Sequence, residues 1–207
     1  MSTNEFNSGT FESTFSESKQ SKILTNSGKI LIALTGGAAL GLSIICYPFV
    51  APALRKHCLP YVPATTKQIQ NALSSVRVVG AQSKLLDIGS GDGRIVIAAA
   101  KALNIESHGV ELNYWLILYS RLAAFREGVF RRTKFFRNDL WKFNISRYDN
   151  IVVFGVEQMM SDLELKIQTE AQPDSTIIAC RFPFPTLKPV NIINDGIDTV
   201  WVYKGLK

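Results

Sequence analysis

The stretch Lys84-Leu85-Leu86-Asp87-Ile88-Gly89-Ser90-Gly91-Asp92-Gly93-Arg94 decides how this chain is read. It begins as a short apolar strand and runs into a glycine-rich turn. Behind the turn, Ile95-Val96-Ile97-Ala98-Ala99-Ala100-Lys101-Ala102-Leu103 opens an Ala-rich helix. Strand, glycine turn and helix together make a nucleotide-binding unit of the open α/β kind. Gly89, Gly91 and Gly93 let the backbone take positive φ and let a ligand approach where a Cβ would clash. Free N–H groups at the helix start then face that ligand.

The spacing is Gly-x-Gly-x-Gly, not the Gly-x-Gly-x-x-Gly of dinucleotide sites, and the strand ends on Asp87 just before the turn. An acid there suits a ligand with positive character and sits badly beside a pyrophosphate. A second acid, Glu111, closes what should be the next strand, 111 − 87 = 24 residues on, where a carboxylate can accept two hydrogen bonds from ribose hydroxyls. The combination points to S-adenosylmethionine, with its amino group and sulfonium, ahead of a nicotinamide cofactor.

Outward from this unit, the chain of 207 residues is long enough for one α/β domain plus an appendage. Cys46, Cys58 and Cys180 are scattered, and His57 and His108 are not spaced with them as ligands. A metal site and a disulfide framework are therefore not expected. The net charge is +6, and residues 1–54 hold three Glu and three Lys, so the excess belongs to residues 55–207. That balance favours an acidic partner, either nucleic acid or an anionic membrane face.

Residues 1–28 are Ser/Thr/Asn/Glu-rich and read as a disordered segment. They lack Arg and carry Glu5, Glu12 and Glu17, unlike an organelle presequence. Ile30 to Leu54 has no charged residue, with Lys29 before it and Arg55-Lys56-His57 after it. Pro48 and Pro52 are expected to end the helix near Tyr47. Ile30 to Tyr47 then spans about 27 Å at 1.5 Å per residue, close to the roughly 30 Å hydrocarbon core of a bilayer. Residues 29–54 are thus read as a single membrane anchor rather than a core helix or a secretory signal. Gly37-x-x-x-Gly41 would allow close helix approach, though small residues are common in membrane helices.

Residues 55–64 read as a linker, with Pro60 and Pro63 holding it extended, and residues 65–207 as the α/β domain. Thr65 or Thr66 can cap a helix over 67–76. The pattern then predicts strand 84–88, helix 94–103, strand 107–111, helix 113–127 with Gly128 as its stop, and strands 133–137 and 150–155. Helix 158–170, strand 175–181 and an antiparallel pair near 190–194 and 198–203 follow. Alternation of this kind predicts a mainly parallel sheet with helices on both faces.

Tyr61-Val-Pro-Ala-Thr-Thr-Lys, Asp87-Ile-Gly-Ser-Gly-Asp-Gly-Arg94, Glu111-Leu-Asn, Asp139-Leu-Trp, Gly155-Val-Glu-Gln-Met-Met160 and Arg181-Phe-Pro-Phe-Pro185 together resemble the mitochondrial seven-β-strand protein-lysine methyltransferases. That family acts on the ATP synthase c subunit or the adenine nucleotide translocase. The motifs after Phe154 and Ala179 resemble the c-subunit enzymes more closely. The resemblance spans residues 28 to 203 or so. It implies a class I, Rossmann-like methyltransferase fold of seven strands behind one transmembrane helix, and trimethylation of a lysine. It also implies a place in the mitochondrial inner membrane, single-pass, with the domain facing the matrix.

By their chemistry, Asp87 and Gly89, Ser90 and Gly91 are assigned to the methionine part of S-adenosylmethionine, Glu111 to the ribose, and Asp139 with Leu140 to the adenine. Asp139 has helix capping as its ordinary alternative. Residues 61–65 are expected to fold over the cofactor, and Asp92 with Arg94 to fix the turn. Methyl transfer needs a neutral amine held in line, and an apolar channel lowers the amine pKa by disfavouring the ammonium. Tyr61, Trp141, Phe154, Phe182 and Phe184 are the candidate walls, with Phe182 and Phe184 favoured. No general base stands out.

The run Arg121, Arg126, Arg131, Arg132, Lys134, Arg137, Lys142, Arg147 is either a solvated face or an attraction to inner-membrane lipid heads. A small-molecule or RNA methyltransferase shares the cofactor half, but no RNA-binding appendage is recognisable and nucleic acid is not the expected partner. A non-catalytic membrane adaptor is the non-enzymatic alternative. The intact Asp87, Gly89, Gly91 and Glu111 set argues against it.

Overall fold

The computed structural model describes residues 25–50 (side chains through Tyr47), 63–80 and 82–204. The leader up to residue 24 and residues 51–62, which hold the end of the expected anchor, most of the linker and Tyr61, lie outside these, so the readings made for them do too. Two units are distinct, residues 1–43 and 44–207.

Helix α1, Asn26–Val50, starts earlier and ends later than its sequence suggests. Asn26 to Gly28, read as leader, form its first turn, where the Gly28 N–H donates to Thr25 Oγ1 at 3.4 Å. Pro48 removes one intrahelical donor and does not end the helix. The helix continues past it to Val50, the last described residue before the linker. Thr35 Oγ1 donates to the Leu31 carbonyl at 2.9 Å, and Ser43 Oγ to that of Ala39 at 2.8 Å. Both hydroxyls are thus satisfied within the helix. The span Asn26–Tyr47 has mean hydropathy 2.1, and none of its most apolar window is buried. By length and composition it can cross a membrane, whereas a core helix would be covered.

The second unit is built on a seven-stranded sheet of order β3-β2-β1-β4-β5-β7-β6. Its strands are β1 Lys84–Ile88, β2 Glu106–Glu111, β3 Thr133–Arg137, β4 Asn150–Phe154, β5 Thr176–Cys180, β6 Asn191–Ile193 and β7 Val200–Tyr203. The first five run parallel, and β7 enters antiparallel between β5 and β6. The expected reversed strand is therefore present.

Side-chain alternation sorts the core into two faces. Leu86, Ile151, Val153 and Ile177 pack with Leu163 and Ile167 of α5 (Met160–Glu170). Leu85, Val152, Ile178 and Val202 pack with Ala72 of α2 (Thr66–Ser74) and Ile95 of α3 (Arg94–Leu103). A second layer on this face joins Val96 of α3 to Ile117 and Ala124 of α4 (Tyr114–Arg126) over Phe135. Thr65 is the cap of α2, its Oγ1 accepting from the Gln68 N–H at 3.0 Å. At the far end of α4, Gly128 takes φ 72°, while its N–H and that of Val129 close on the Phe125 and Ala124 carbonyls, a Schellman stop.

Because strand order reverses at β1, β4 lies on one side of it and β2 on the other. Crevices in such sheets open beyond the carboxyl ends at this switch point. Closing the sheet there depends on Gly109 of β2. A Cβ at this position would stand 2.5 Å from Ser90 Oγ and 2.7 Å from its Cβ. Gly109→Ala should therefore cost about 1–3 kcal/mol from overpacking and lower the denaturant midpoint of the chain. An unchanged midpoint would show that the turn gives way freely.

Candidate active site

Asp87 lies at the carboxyl end of β1 yet is only 1% exposed. Its Oδ1 finds no hydrogen-bond partner among the described residues, and neither does the buried Ser90 Oγ beside it. Burial, then the charges of Glu111 and Asp92, push the Asp87 carboxyl up to about 8. An unpaired buried acid is costly unless it is protonated or meets a cation.

The turn after Asp87 is drawn tight. The N–H groups of Gly89 and Ser90 both reach the Val110 carbonyl at 3.0 Å, and that of Gly93 reaches the Ser90 carbonyl at 2.8 Å. Gly89, Gly91 and Gly93 take φ of 77°, 52° and 79°. At Gly93 a Cβ would also meet Phe135 at 2.7 Å and Ser120 at 2.8 Å. Glu111 fastens the turn from the neighbouring strand, with Oε2 accepting from Gly91 N–H at 3.1 Å and Oε1 from Leu112 and Asn113 N–H at 2.8 Å each. A carboxylate has about four acceptor sites, so these three bonds leave room at Oε2 for one hydroxyl donor.

From the Glu111 carbonyl the chain is tied to Asn138 N–H at 3.2 Å, which brings the Asp139 turn to the same edge. Asp139 Oδ1 accepts from Trp141 N–H at 3.1 Å, so it caps its own short turn, and no regular helix follows. Leu140 and Trp141 are half-buried against the α5-side core. The structure thus gathers Asp87, Gly89, Ser90, Gly91, Glu111, Asp139 and Leu140 at the carboxyl edge of β1, β2 and β3.

Asp92 and Arg94 do brace the turn: Arg94 Nε donates to Asp92 Oδ1 at 2.9 Å, and its Nη1 to the Ala64 carbonyl at 2.7 Å. The segment leading into α2 is thereby held to the glycine turn. Thr65 Oγ1 in turn donates to Asp198 Oδ1 at 2.7 Å.

The expected walls separate. Phe182 is half-buried over the α5-side core, but Phe184 is 3% exposed and belongs to that core. Its ring lies 4.9 Å from that of Tyr203, whose hydroxyl accepts from the Phe184 N–H at 2.9 Å. The contact with Tyr203 holds the second ring inward, so Phe184 is corrected from channel wall to packing residue. Phe154 closes β4, half-buried, with the Arg181 guanidinium 5.4 Å from its ring centroid.

Arg181 and Glu164 were not singled out from the sequence as site residues. Arg181 takes φ 73° directly after β5, a conformation rare outside glycine that clusters at functional positions. Glu164, buried on α5, accepts from the Thr186 N–H (3.1 and 3.2 Å), the Thr186 hydroxyl (2.8 Å) and the Leu187 N–H (2.6 Å). It fixes the far end of the loop that carries Phe182. No local sequence signal marks a contact between positions 164 and 186, which lie 22 residues apart. Among the described residues no cluster of His, Cys, Asp and Glu could hold a metal ion.

A seven-stranded sheet with one reversed strand, a glycine turn and two acids at its switch point define a class I methyltransferase that uses S-adenosylmethionine. Comparison with solved structures agrees on the fold. An RNA methyltransferase from Salinibacter ruber in complex with S-adenosyl-L-homocysteine superimposes with TM-score 0.65 at 24% identity, over 70% of this chain and 94% of that one. The family model for the ANTKMT methyltransferase domain matches residues 87–191, and that for the N-terminal domain of the ATP synthase c-subunit lysine N-methyltransferase matches residues 20–55. The Xenopus laevis ATP synthase c-subunit lysine N-methyltransferase is 54% identical over 85% of this chain and 76% of its own length. That of Caenorhabditis elegans is 43% identical over 86% and 97%. The mouse adenine nucleotide translocase lysine N-methyltransferase is 36% identical over 84% and 76%. The chain belongs to the ATP synthase c-subunit lysine N-methyltransferase family.

Asp87 and its surroundings fit this cofactor, because the orphaned acid takes a cationic amino acid group where an anion would be repelled. Two consequences can be measured. An ordinary Asp titrates at 3.8 and Asp87 at about 8, so between these values the ligand-free fold holds a proton that the unfolded chain has lost. Its stability therefore falls as pH rises through that window. A cationic ligand restores the ionised form, so cofactor binding near pH 7 should release a proton and tighten as pH rises towards 8. Calorimetry in buffers of different ionisation enthalpy reads this, and Asp87→Asn should abolish the release. Separately, Glu164→Ala leaves the Thr186 N–H, the Thr186 hydroxyl and the Leu187 N–H without their acceptor and should cost about 1–3 kcal/mol. It should raise KM for the methyl acceptor while leaving cofactor affinity unchanged; equal changes in both would place the 182–187 loop in the cofactor site instead.

Proposed function

We propose that this protein trimethylates a lysine of the ATP synthase c subunit. We further propose that α1 anchors it as a single-pass protein of the mitochondrial inner membrane, with the catalytic unit in the matrix. The observation that carries the reading is identity of 43–54% with c-subunit lysine methyltransferases over about 85% of the chain, together with a buried acid positioned for a cationic donor. When bound, S-adenosylmethionine supplies an electrophilic methyl on its sulfonium.

The chain's own residues do the rest. Asp87, Ser90 and the Gly89–Gly91 backbone would hold the amino acid end, Glu111 the ribose, and Asp139 with Leu140 the adenine. Trp141, Phe154 and Phe182 give the acceptor lysine apolar surroundings, which disfavour its ammonium form, and the Arg181 cation over Phe154 acts in the same direction. Positioning a neutral amine accounts for roughly 7–11 kcal/mol of barrier lowering, and no general base is required of the protein. Aromatic faces also tolerate the methylated ammonium product.

The translocase is the second reading, favoured only by the weaker identity of 36%. Intact-mass measurement of small hydrophobic mitochondrial proteins, with and without this gene, tests the choice. The c subunit should lose a mass increment of three methyls when the gene is removed, and Asp87→Ala should fail to restore it. An unmodified translocase together with this loss supports the first assignment; an altered translocase beside an unchanged c subunit reverses it.

A further inference from the structure

The outward side of α4 is apolar where a helix of a water-soluble domain is polar. Ile117, Ser120 and Ala124 are its buried face. The opposite side carries Trp115, Leu118, Tyr119, Leu122 and Phe125, continued past the helix by Phe130, whose ring lies 5.7 Å from that of Phe125. Leu118, Tyr119, Leu122, Phe125 and Phe130 are each 45–65% exposed. Arg121, Arg126, Arg131 and Arg132 are exposed around this stripe. The nearby acid Glu127 is engaged with Lys101 at 2.6 Å. Neither the catalytic reading nor the packing of the domain uses this surface.

We infer that the outer face of α4, with Phe130 and the arginines around it, is a second membrane-contact surface that lies in the headgroup region of an anionic bilayer. Charge complementarity selects the occupant. Apolar and aromatic side chains on a convex helix with a basic rim match an interface that is apolar below and negatively charged at its surface. A second copy docked by twofold symmetry would set the same four arginines against themselves. The inference rests on the membrane location proposed above, but it can fail alone.

The test uses the full chain with Tyr119→Cys on a Cys46→Ser, Cys58→Ser background, labelled with an environment-sensitive fluorophore and reconstituted into vesicles. Vesicles of phosphatidylcholine are compared with vesicles of phosphatidylcholine and phosphatidylglycerol in equal parts, each with and without brominated acyl chains. Flotation reports the α1 anchor, and c-subunit methylation reports the catalytic assignment; the label reports α4 alone. The expected result is a blue shift and bromine quenching in anionic vesicles, both lost at high salt and lost in Arg126→Glu/Arg131→Glu/Arg132→Glu. Arg121 is left intact because its Nη2 donates to the Phe135 carbonyl at 2.9 Å. A label at Thr169→Cys on α5 should stay in water throughout. A label at 119 that remains in water while the protein floats overturns the inference. Shielding without bromine quenching overturns it too and assigns the face to protein: a second copy if shielding grows with protein density, the methylated substrate if it appears only on co-reconstitution, the chain's own segment if neither matters.

Discussion

A carboxyl group kept from water with one oxygen unmatched is the constraint on which the catalytic unit depends. Asp87 stands where β1 ends, between parallel neighbours on both sides, so it cannot turn to solvent without breaking the centre of the sheet. Its burial is tolerable when a proton or a cation sits against it. The glycines answer the same constraint from the other direction. Their positive φ lets the turn fold back on the Val110 carbonyl, through the N–H groups of Gly89 and Ser90, directly after Asp87.

What keeps this arrangement in place is a set of polar side chains that satisfy the backbone of distant loops. Glu111 holds the glycine turn, Arg94 holds Ala64, and Glu164 holds residues 186 and 187. Asn150, fully buried at the start of β4, pairs with both the N–H and the carbonyl of Arg77 at 2.8 and 2.9 Å. Each group is rooted in, or directly beside, a strand or helix and reaches into a segment that has no ladder of its own. Site loops are therefore positioned by regular elements, which is how precision is obtained in irregular backbone.

Much of this was legible in the sequence, for identifiable reasons. The bounds of β1, α3 and β3 follow from apolar runs cut off by glycine or by charge, and those signals are local. The placement of Asp87 and Glu111 was legible too, because both lie at strand ends whose spacing the βαβ unit fixes. The ends of α1 were not, since proline weakens a helix without always stopping it. Phe182 and Phe184 looked alike in sequence, and only the Tyr203 hydroxyl, 19 residues beyond Phe184, decides which ring is core. The positive φ of Arg181 leaves no mark on residue type at all.

The two ends of the carboxyl edge are charged in opposite senses, and this bears on the proposed reaction. Beyond β1 and β2 stand two acids, Asp87 and Glu111; beyond β4 and β5 stands the Arg181 cation over Phe154. A sulfonium donor brings a fixed positive charge, whereas its acceptor must arrive as a neutral amine. Acids stabilise the first condition and a cation in apolar surroundings stabilises the second. One pocket of uniform polarity could not favour both, so in the proposed reaction the buried Asp87 would serve the donor and Arg181 the acceptor, each at its own end of the edge.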